Sequence, residues 1–319
     1  MPILSRLGLG SGRNAALESG FPVAHDAALA SPVETWPLLL PGKRKTALLR
    51  ACSNPRCSSG WLHLLRSRET PVFEGGWCCS QECTLEQVRA ALRREMGARG
   101  ALCDSHRHRI PLGLAMLEQG WITQQELRAA LAAQRVAGRG RLGEWLIRQG
   151  SASEEMVTRA LGLQWGCPVL RMESHNPENL TVLLPRFFVD AFGALPLRVA
   201  AGKILYLGFE DRVDPALALA VERATGLRVE VGLVEGSRFR LAHGRALEVR
   251  YPPAELIEAA TEEAMASALT LAIEEWRAVE TRLVRIHDCF WLRIWVRRQA
   301  GPFPEPTSVR DLIASTAVG

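Results

Sequence analysis

The sequence has no long hydrophobic segment. No run approaches the roughly 18 apolar residues of a membrane-spanning helix, since the longest candidate, Trp36–Leu40, is interrupted by Pro37 and followed by Pro41. The N-terminus also lacks a basic start followed by a sustained apolar stretch, which is the pattern of a secretory signal. These absences predict a cytoplasmic protein without membrane insertion.

Recognisable catalytic motifs are absent as well. A P-loop needs G-x4-G-K-[ST], because its backbone N–H groups hold phosphates. The nearest approach, at Gly42-Lys43, has Pro37 in place of the first glycine and Arg44 in place of Ser or Thr. No H-E-x-x-H or G-x-S-x-G sequence occurs. We therefore expect a protein that is not an enzyme and has no catalytic residues.

Strong charge of one sign is missing too. The net charge is +5, with 47% hydrophobic and 23% charged residues, which is typical of a globular protein. Residues 1–110 hold 15 Lys+Arg against 9 Asp+Glu, so the basic character belongs to the first third. Nucleic-acid binding usually requires a more strongly clustered basic patch, and a nucleic-acid partner is disfavoured.

Cysteine, in contrast, is concentrated in one short stretch. Five of the eight cysteines lie between Cys52 and Cys83, and in a reducing compartment such clustering favours a metal over disulfides. Cys52-x4-Cys57 and Cys79-x3-Cys83 supply four thiolates, the donor set of a closed structural zinc site. Cys78 is the alternative to Cys79, because Cys78-x4-Cys83 would copy the first spacing.

The second cysteine pair resembles that of a treble-clef-like zinc finger, where CS-x-x-C begins a helix as Cys79–Cys83 does here. The resemblance implies a structural zinc ion in a small module at residues 46–96. A helix follows from Thr84 to Met96, since Leu85, Val88 and Leu92 share one face. His63 could be a further ligand, although a lone histidine is more often a surface or packing residue.

An internal repeat occupies the next part of the chain. Residues 111–134 and 141–164 align with an offset of 30 residues. The matched positions are Leu112 and Leu142, Gly113 and Gly143, Met116 and Leu146, Gly120 and Gly150, Leu127 and Val157, Leu131 and Leu161, and Gln134 and Gln164. Packing explains the apolar positions but not an amide at the end of both copies.

Each copy is predicted to be a helical hairpin. A short first helix ends at Gly120 or Gly150, where a left-handed residue fits. Thr123 and Ser153 then cap the second helix, and Glu126 completes a capping box in the first copy.

The tandem PLG-x2-M-x3-G-x6-L-x3-L-x2-Q and RLG-x2-L-x3-G-x6-V-x3-L-x2-Q resemble the N-terminal domain of type II secretion and type IV pilus assembly ATPases, specifically its MshEN-type cyclic di-GMP-binding form, over roughly residues 110–243. The resemblance implies cyclic di-GMP as the ligand and a secretion or pilus protein as partner. The binding residues it implies are Leu112, Gly113, Met116, Gln134, Arg141, Leu142, Gly143, Leu146 and Gln164.

Two tandem half-sites suit a ligand with two guanines and two phosphates. Gly113 and Gly143 lack a Cβ, which would let backbone approach the ligand, and Arg141 can pair with phosphate or stack on guanine. The four apolar residues would cover the base faces, and the two glutamines would fix the geometry by hydrogen bonds.

Two departures separate this sequence from the family pattern. Pro111 replaces arginine at position one of the first copy, and the spacer Arg135–Gly140 has six residues. The first half-site is therefore weakened, or Arg107 or Arg109 supplies the missing charge. The ATPases that carry this domain continue into a motor, whose P-loop this sequence lacks.

The predicted fold class is α+β, with a helical-hairpin repeat, a small α/β subdomain and a small zinc module in front. The predicted domains are a poorly ordered leader at 1–45, the zinc module at 46–96, the duplicated motif at 97–165, the α/β subdomain at 166–250 and an extension at 251–319.

Within the later domains, LPLRVA, KILYLGF and LRVEVGLV are predicted strands, and Asp214 to Gly226 bracket a helix between the second and third. The extension should hold a helix at 254–278, a hairpin turning near His287-Asp288 and a short C-terminal helix.

The sequence thus predicts a stand-alone cyclic di-GMP-binding regulatory protein. One alternative is an adaptor or scaffold of a secretion or pilus system whose nucleotide site has degenerated, as Pro111 would suggest. The other is a zinc-dependent nucleic-acid-binding protein, which Lys43-Arg44-Lys45 would favour.

Overall fold

The computed structural model describes residues 51–59, 71–97, 109–172, 176–298 and 303–316. The expected leader at 1–45, together with His63 and Arg107, lies outside these residues. Over the described ranges the protein is α+β, which confirms the predicted fold class.

The cysteine-rich segment forms a hairpin followed by a helix. Strands β1 (Val72–Phe73) and β2 (Gly76–Trp77) pair antiparallel, and helix α1 spans Gln81–Gly97. Val88 and Leu92 are fully buried on one face of α1, as their helical spacing predicts.

The duplicated motif folds as two helical hairpins. Its helices are α2 (Leu112–Glu118), α3 (Gln124–Ala137), α4 (Leu142–Arg148) and α5 (Glu154–Trp165). Gly120 and Gly150 follow the two short helices with φ of 67° and 70°, the left-handed geometry that favours glycine. The predicted caps are confirmed: the Thr123 hydroxyl accepts the N–H of Glu126 in a complete capping box, and the Ser153 hydroxyl accepts the N–H of Met156.

The α/β subdomain surrounds a three-stranded sheet of order β3-β4-β5. Its elements are α6 (Arg186–Phe192), β3 (Ala194–Ala200), β4 (Ile204–Phe209), α7 (Pro215–Thr225), β5 (Arg228–Leu233) and α8 (Gly236–Glu248). Strand β4 pairs antiparallel with β3 and parallel with β5. The three predicted strands and the Asp214 cap are confirmed. Sequence reasoning missed α6 and α8, which begin without a side-chain cap.

The C-terminal part differs from its prediction in two places. Its elements are β6 (Ala254–Ala259), α9 (Glu262–Glu275), β7 (Glu280–Ile286), β8 (Cys289–Trp295) and β9 (Val309–Thr316), with strand order β6-β9-β8-β7. The hairpin at His287-Asp288 is confirmed. The continuous helix at 254–278 is wrong, because its first residues form β6 and Thr261 caps a shorter helix. The predicted C-terminal helix is also wrong, because that segment pairs between β6 and β8.

This four-stranded sheet joins the first and last parts of the described chain. One face packs against α1 and α9, and the cluster there includes Cys79 and Cys83 together with Leu269 and Leu292. The N–H of Val72 also donates to the carbonyl of Ala278 at 2.8 Å. The cysteine-rich segment is therefore built onto the C-terminal sheet and shares its core.

Candidate ligand site and candidate metal centre

The two copies of the helical motif interlock. Helix α2 of the first copy packs against α5 of the second, and α3 of the first packs against α4 of the second. Each first helix thus packs on the second helix of the other copy, which relates the copies by an approximate two-fold exchange. The shared core includes Met116, Leu146 and Val157.

The motif glutamines repeat this exchange through hydrogen bonds. The Gln134 side-chain amide donates to the carbonyl of Gly140 at 2.8 Å, and that of Gln164 donates to the carbonyl of Ile110 at 2.9 Å. Gly140 and Ile110 are equivalent residues, each immediately before position one of a copy. The last residue of either copy therefore anchors the start of the other, so that both half-site starts are held in the same way.

The motif glycines serve packing in this structure. A Cβ on Gly113 would lie 2.7 Å from Cδ1 of Leu127, and a Cβ on Gly143 would lie 2.7 Å from Cγ1 of Val157. These distances are shorter than van der Waals contact. Because both glycines are buried, the missing Cβ makes room for a neighbouring side chain. Close approach of backbone to a ligand stays a prediction beside this packing role.

The four predicted apolar contacts divide into two classes. Met116 and Leu146 are 0% exposed and lie in the core shared by the two copies. Leu112 and Leu142 are half-buried. Their side chains cross between copies, each lying beside the motif glycine of the other one.

Arg141 extends from the start of α4 into solvent, with 68% of its side chain exposed. It forms an ion pair with Asp211, which lies in the loop between β4 and α7. Sequence reasoning did not single out Asp211, because the loop lies 70 residues further along the chain and no repeat marks it. The structure thereby places a guanidinium and a carboxylate side by side at the second half-site.

Further polar contacts hold the repeat against the α/β subdomain on the same side as this ion pair. The backbone N–H of Ser237 donates to the Glu154 carboxylate at 2.7 Å, and the Ser237 hydroxyl donates to its other oxygen at 2.5 Å. Arg240 pairs with Glu210, the residue before Asp211, at 2.6 Å. The start of α5, the start of α8 and the β4–α7 loop are thus linked by charged groups.

The four predicted zinc ligands converge. The Sγ atoms of Cys52, Cys57, Cys79 and Cys83 all lie within 4.8 Å of one another. Zn–S bonds of about 2.3 Å in a tetrahedron place sulfurs about 3.8 Å apart, and Sγ of Cys79 lies 3.4 Å from that of Cys57 and 3.7 Å from that of Cys83. Donor number, chemistry and spacing therefore fit a zinc ion.

The cluster resolves the choice between adjacent cysteines. Cys78 is buried and its Sγ lies 3.4 Å from the Ser53 hydroxyl, outside the group of four. Within the group, burial raises the pKa of the Cys52 thiol to about 12, whereas hydrogen bonding from the backbone of Ser59 lowers the pKa of Cys57 to about 6. The surroundings of the first cysteine pair therefore shift the pKa values of its two thiols in opposite directions.

Sequence comparison relates part of this chain to larger proteins. No family model matches. The chain is 30% identical over 148 residues to the type IV pilus assembly ATPase PilB of Thermus thermophilus, covering 44% of this chain and 16% of that protein. It is 33% identical over 125 residues to bacteriophage adsorption protein B of Escherichia coli (strain K12), covering 39% and 16%. The match therefore spans about a sixth of the length of these relatives.

Among solved structures, similarity extends to a structure of MshE with cdg, at 25% identity over 43% of this chain and 99% of that chain, with a TM-score of 0.35. The N-terminal domain of XpsE gives 25% identity over 42% of this chain and 92% of that chain, with a TM-score of 0.31. None of the helices in the described ranges is long and apolar enough to cross a membrane.

Proposed function

We propose that this protein is a non-catalytic regulatory protein that binds cyclic di-GMP through its duplicated helical motif. The observation that carries the proposal is the reciprocal anchoring of the two motif starts by Gln134 and Gln164. It produces two equivalent positions related by an approximate two-fold, which suits a ligand composed of two identical halves.

The second half-site offers groups that complement such a ligand. The exposed Arg141 guanidinium presents planar N–H donors that match a phosphate. The adjacent Asp211 carboxylate accepts the N1–H and N2–H donors on the Watson–Crick edge of a guanine. Leu112 and Leu142 provide half-buried apolar surface between the copies. A charged pair beside apolar surface can therefore contact both the backbone and a base of the ligand.

The ligand's effect would pass to the α/β subdomain. Because Asp211 belongs to that subdomain and Arg141 to the repeat, a ligand that engages both changes how the two are held together. The partner that reads this change is a component of a secretion or pilus system, which the similarity to a pilus assembly ATPase supports. Cyclic di-GMP and unoxidised thiols both suit a cytoplasmic location.

Zinc has a structural role in this proposal. Four thiolates would complete its coordination and leave no position for substrate, and the cluster is part of the core beneath the C-terminal sheet. The ion would hold Cys52 and Cys57 against the start of α1.

The experiment is calorimetric titration of the full chain with cyclic di-GMP. Arg141→Ala should weaken binding about tenfold to a hundredfold, because charge-assisted hydrogen bonds contribute about 1.5–3 kcal/mol. Arg128→Ala, an exposed arginine on α3, is the matched control and should bind normally. Absence of binding by the unaltered protein would favour the adaptor with a degenerate site. A salt-dependent shift of DNA or RNA by the same protein would favour the nucleic-acid alternative.

Asp211→Asn tests the base contact separately. The amide presents a donor where the carboxylate accepted, so affinity for cyclic di-GMP should fall about tenfold. Affinity for cyclic di-AMP should change little, because adenine lacks the N1–H and N2–H donors that Asp211 would accept. Tighter binding by this variant would instead mean that Asp211 only holds Arg141 away from the ligand.

A further inference from the structure

The first copy of the motif lacks the arginine that the second copy has at position one. Pro111 occupies that position and carries neither charge nor an N–H donor. If cyclic di-GMP binds as proposed above, one of its two phosphates meets Arg141 and the other meets a half-site with no guanidinium at the equivalent residue.

An arginine nevertheless lies beside the start of the first copy. Arg109 is two residues before Pro111, and its exposed side chain places the guanidinium carbon 3.3 Å from the centroid of the Trp165 ring. Trp165 directly follows Gln164, whose amide anchors Ile110. The ring that Arg109 contacts and the hydrogen bond to the next residue, Ile110, therefore both come from the end of α5.

The way in which Arg109 is held leaves its donors available. A cation–π contact uses the face of the guanidinium, whereas its five N–H groups lie in the plane. Within the described ranges, no carboxylate forms an ion pair with Arg109. At the second half-site the residue equivalent to Trp165 is Arg135, so this arrangement belongs to the first half-site alone.

We propose that Arg109, stacked on Trp165, supplies the guanidinium of the first half-site and contacts the second phosphate of cyclic di-GMP. Trp165 acts as a positioning residue. The chain thus retains two arginines for two phosphates, one at position one of the second copy and one displaced by two residues in the first.

Titration of the full-length protein with cyclic di-GMP tests this assignment. Arg109→Ala should weaken binding at least tenfold and Arg109→Lys about threefold, because lysine keeps the charge but loses the planar donor set. Trp165→Leu should weaken binding about threefold with an unchanged far-UV circular dichroism spectrum and melting temperature within a few degrees. Arg128→Ala remains the control.

A rescue separates a ligand contact from a structural effect. Introducing Pro111→Arg into the Arg109→Ala protein restores the motif arginine, and it should recover most of the lost affinity. The salt dependence of binding should also become shallower in Arg109→Ala and return to its original slope in the double variant.

The outcomes separate this inference from the function on which it rests. If the unaltered protein does not bind, the proposed function fails. Suppose instead that the unaltered protein binds cyclic di-GMP and that Arg141→Ala weakens this binding. If Arg109→Ala then has the same affinity and the same salt dependence as Arg128→Ala, the proposed function stands and this inference is overturned.

Discussion

The helical repeat and the zinc–sheet region, defined here as residues 51–97 together with 254–316, are assembled in contrasting ways. In the repeat, the hydrogen bond that closes the structure, from Gln164 to Ile110, spans 54 residues of chain. In the zinc–sheet region, Thr84 reaches Glu274 over 190 residues and Glu74 reaches Thr281 over 207. The fold of the repeat is specified by local sequence patterns. The fold of the zinc–sheet region depends instead on pairing between segments that are distant in the sequence.

The two regions also differ in where their charged groups lie. The repeat keeps Arg141 and Arg109 at its surface, where a ligand can reach them. The zinc–sheet region buries Glu95 of α1 at 3% exposure and pairs it with Arg223 of α7 at 2.5 Å. Surface groups in the repeat should therefore change binding, whereas groups in the zinc–sheet region should change stability.

The largest effect is expected from loss of one of the four proposed zinc ligands. Cys83→Ser, or removal of the metal by a chelator, should lower the free energy of unfolding by more than about 4 kcal/mol, because the cluster is part of the core beneath the sheet. Hydrogen exchange should show β7 and β8 losing protection while α3 and α5 keep theirs. Cys289→Ser, at a half-buried cysteine outside the cluster, is the control. If the amides of β7 and β8 stayed protected from exchange without the metal, the stability of the sheet would not depend on the cysteine cluster.

A smaller effect is expected from Glu95→Gln. Burial alone would raise the pKa of Glu95, but Arg223 and Arg94 lower it below its ordinary value. Removing the charge should cost about 2–3 kcal/mol, somewhat less than for a fully buried pair, since both arginines are partly exposed.

The pH dependence of the Glu95 effect has a definite sign. A carboxylate with a depressed pKa stabilises the fold above its unfolded pKa and loses that contribution as pH falls through its folded pKa. The difference between the unaltered protein and Glu95→Gln should thus shrink below about pH 4. Glu82→Gln, at an exposed position on the same helix, should show little difference at any pH in chemical unfolding.

The smallest stability effect is expected within the repeat. Gly143→Ala places a methyl group against Val157, and overpacking of this kind typically costs about 1–3 kcal/mol. Gly244→Ala is the matched control, because a Cβ there meets nothing within 4 Å and alanine is the better helix former by about 1 kcal/mol. Urea unfolding of the two variants should give opposite signs. If Gly143→Ala were as stable as the unaltered protein but bound the ligand less tightly, Gly143 would be assigned to the ligand-binding surface.

Much of the repeat could be predicted from sequence because its signals are local. Thr123, Ser153, Gly120 and Gly150 mark helix boundaries by capping and backbone geometry, and the structure agrees at each. The role of Gly113 could not be predicted in this way, since a glycine that accommodates a neighbouring leucine and one that admits a ligand look alike in a sequence.

The zinc–sheet region shows the complementary limit. The cysteine spacing predicted the four-cysteine cluster, but not that Cys79 and Cys83 lie in one core with β8. Strand β9 was predicted as a helix because a short apolar segment fits both the helical and the strand periodicity. Its pairing with the distant strands β6 and β8 is what makes it a strand. Asp211 was overlooked for a related reason, because its candidate role follows from its ion pair with Arg141, which only the structure shows.

The exchange of helices between the copies implies that the repeating unit of sequence is not the unit that folds. A polypeptide with only one copy would lack the helices of the other copy, which cover its apolar faces. Truncation at the spacer should therefore yield a fragment that aggregates and does not fold independently. Two fragments produced by cleavage after Gly138 would each supply the helices that the other lacks, and if the protein binds cyclic di-GMP as proposed, the ligand should promote their reassociation.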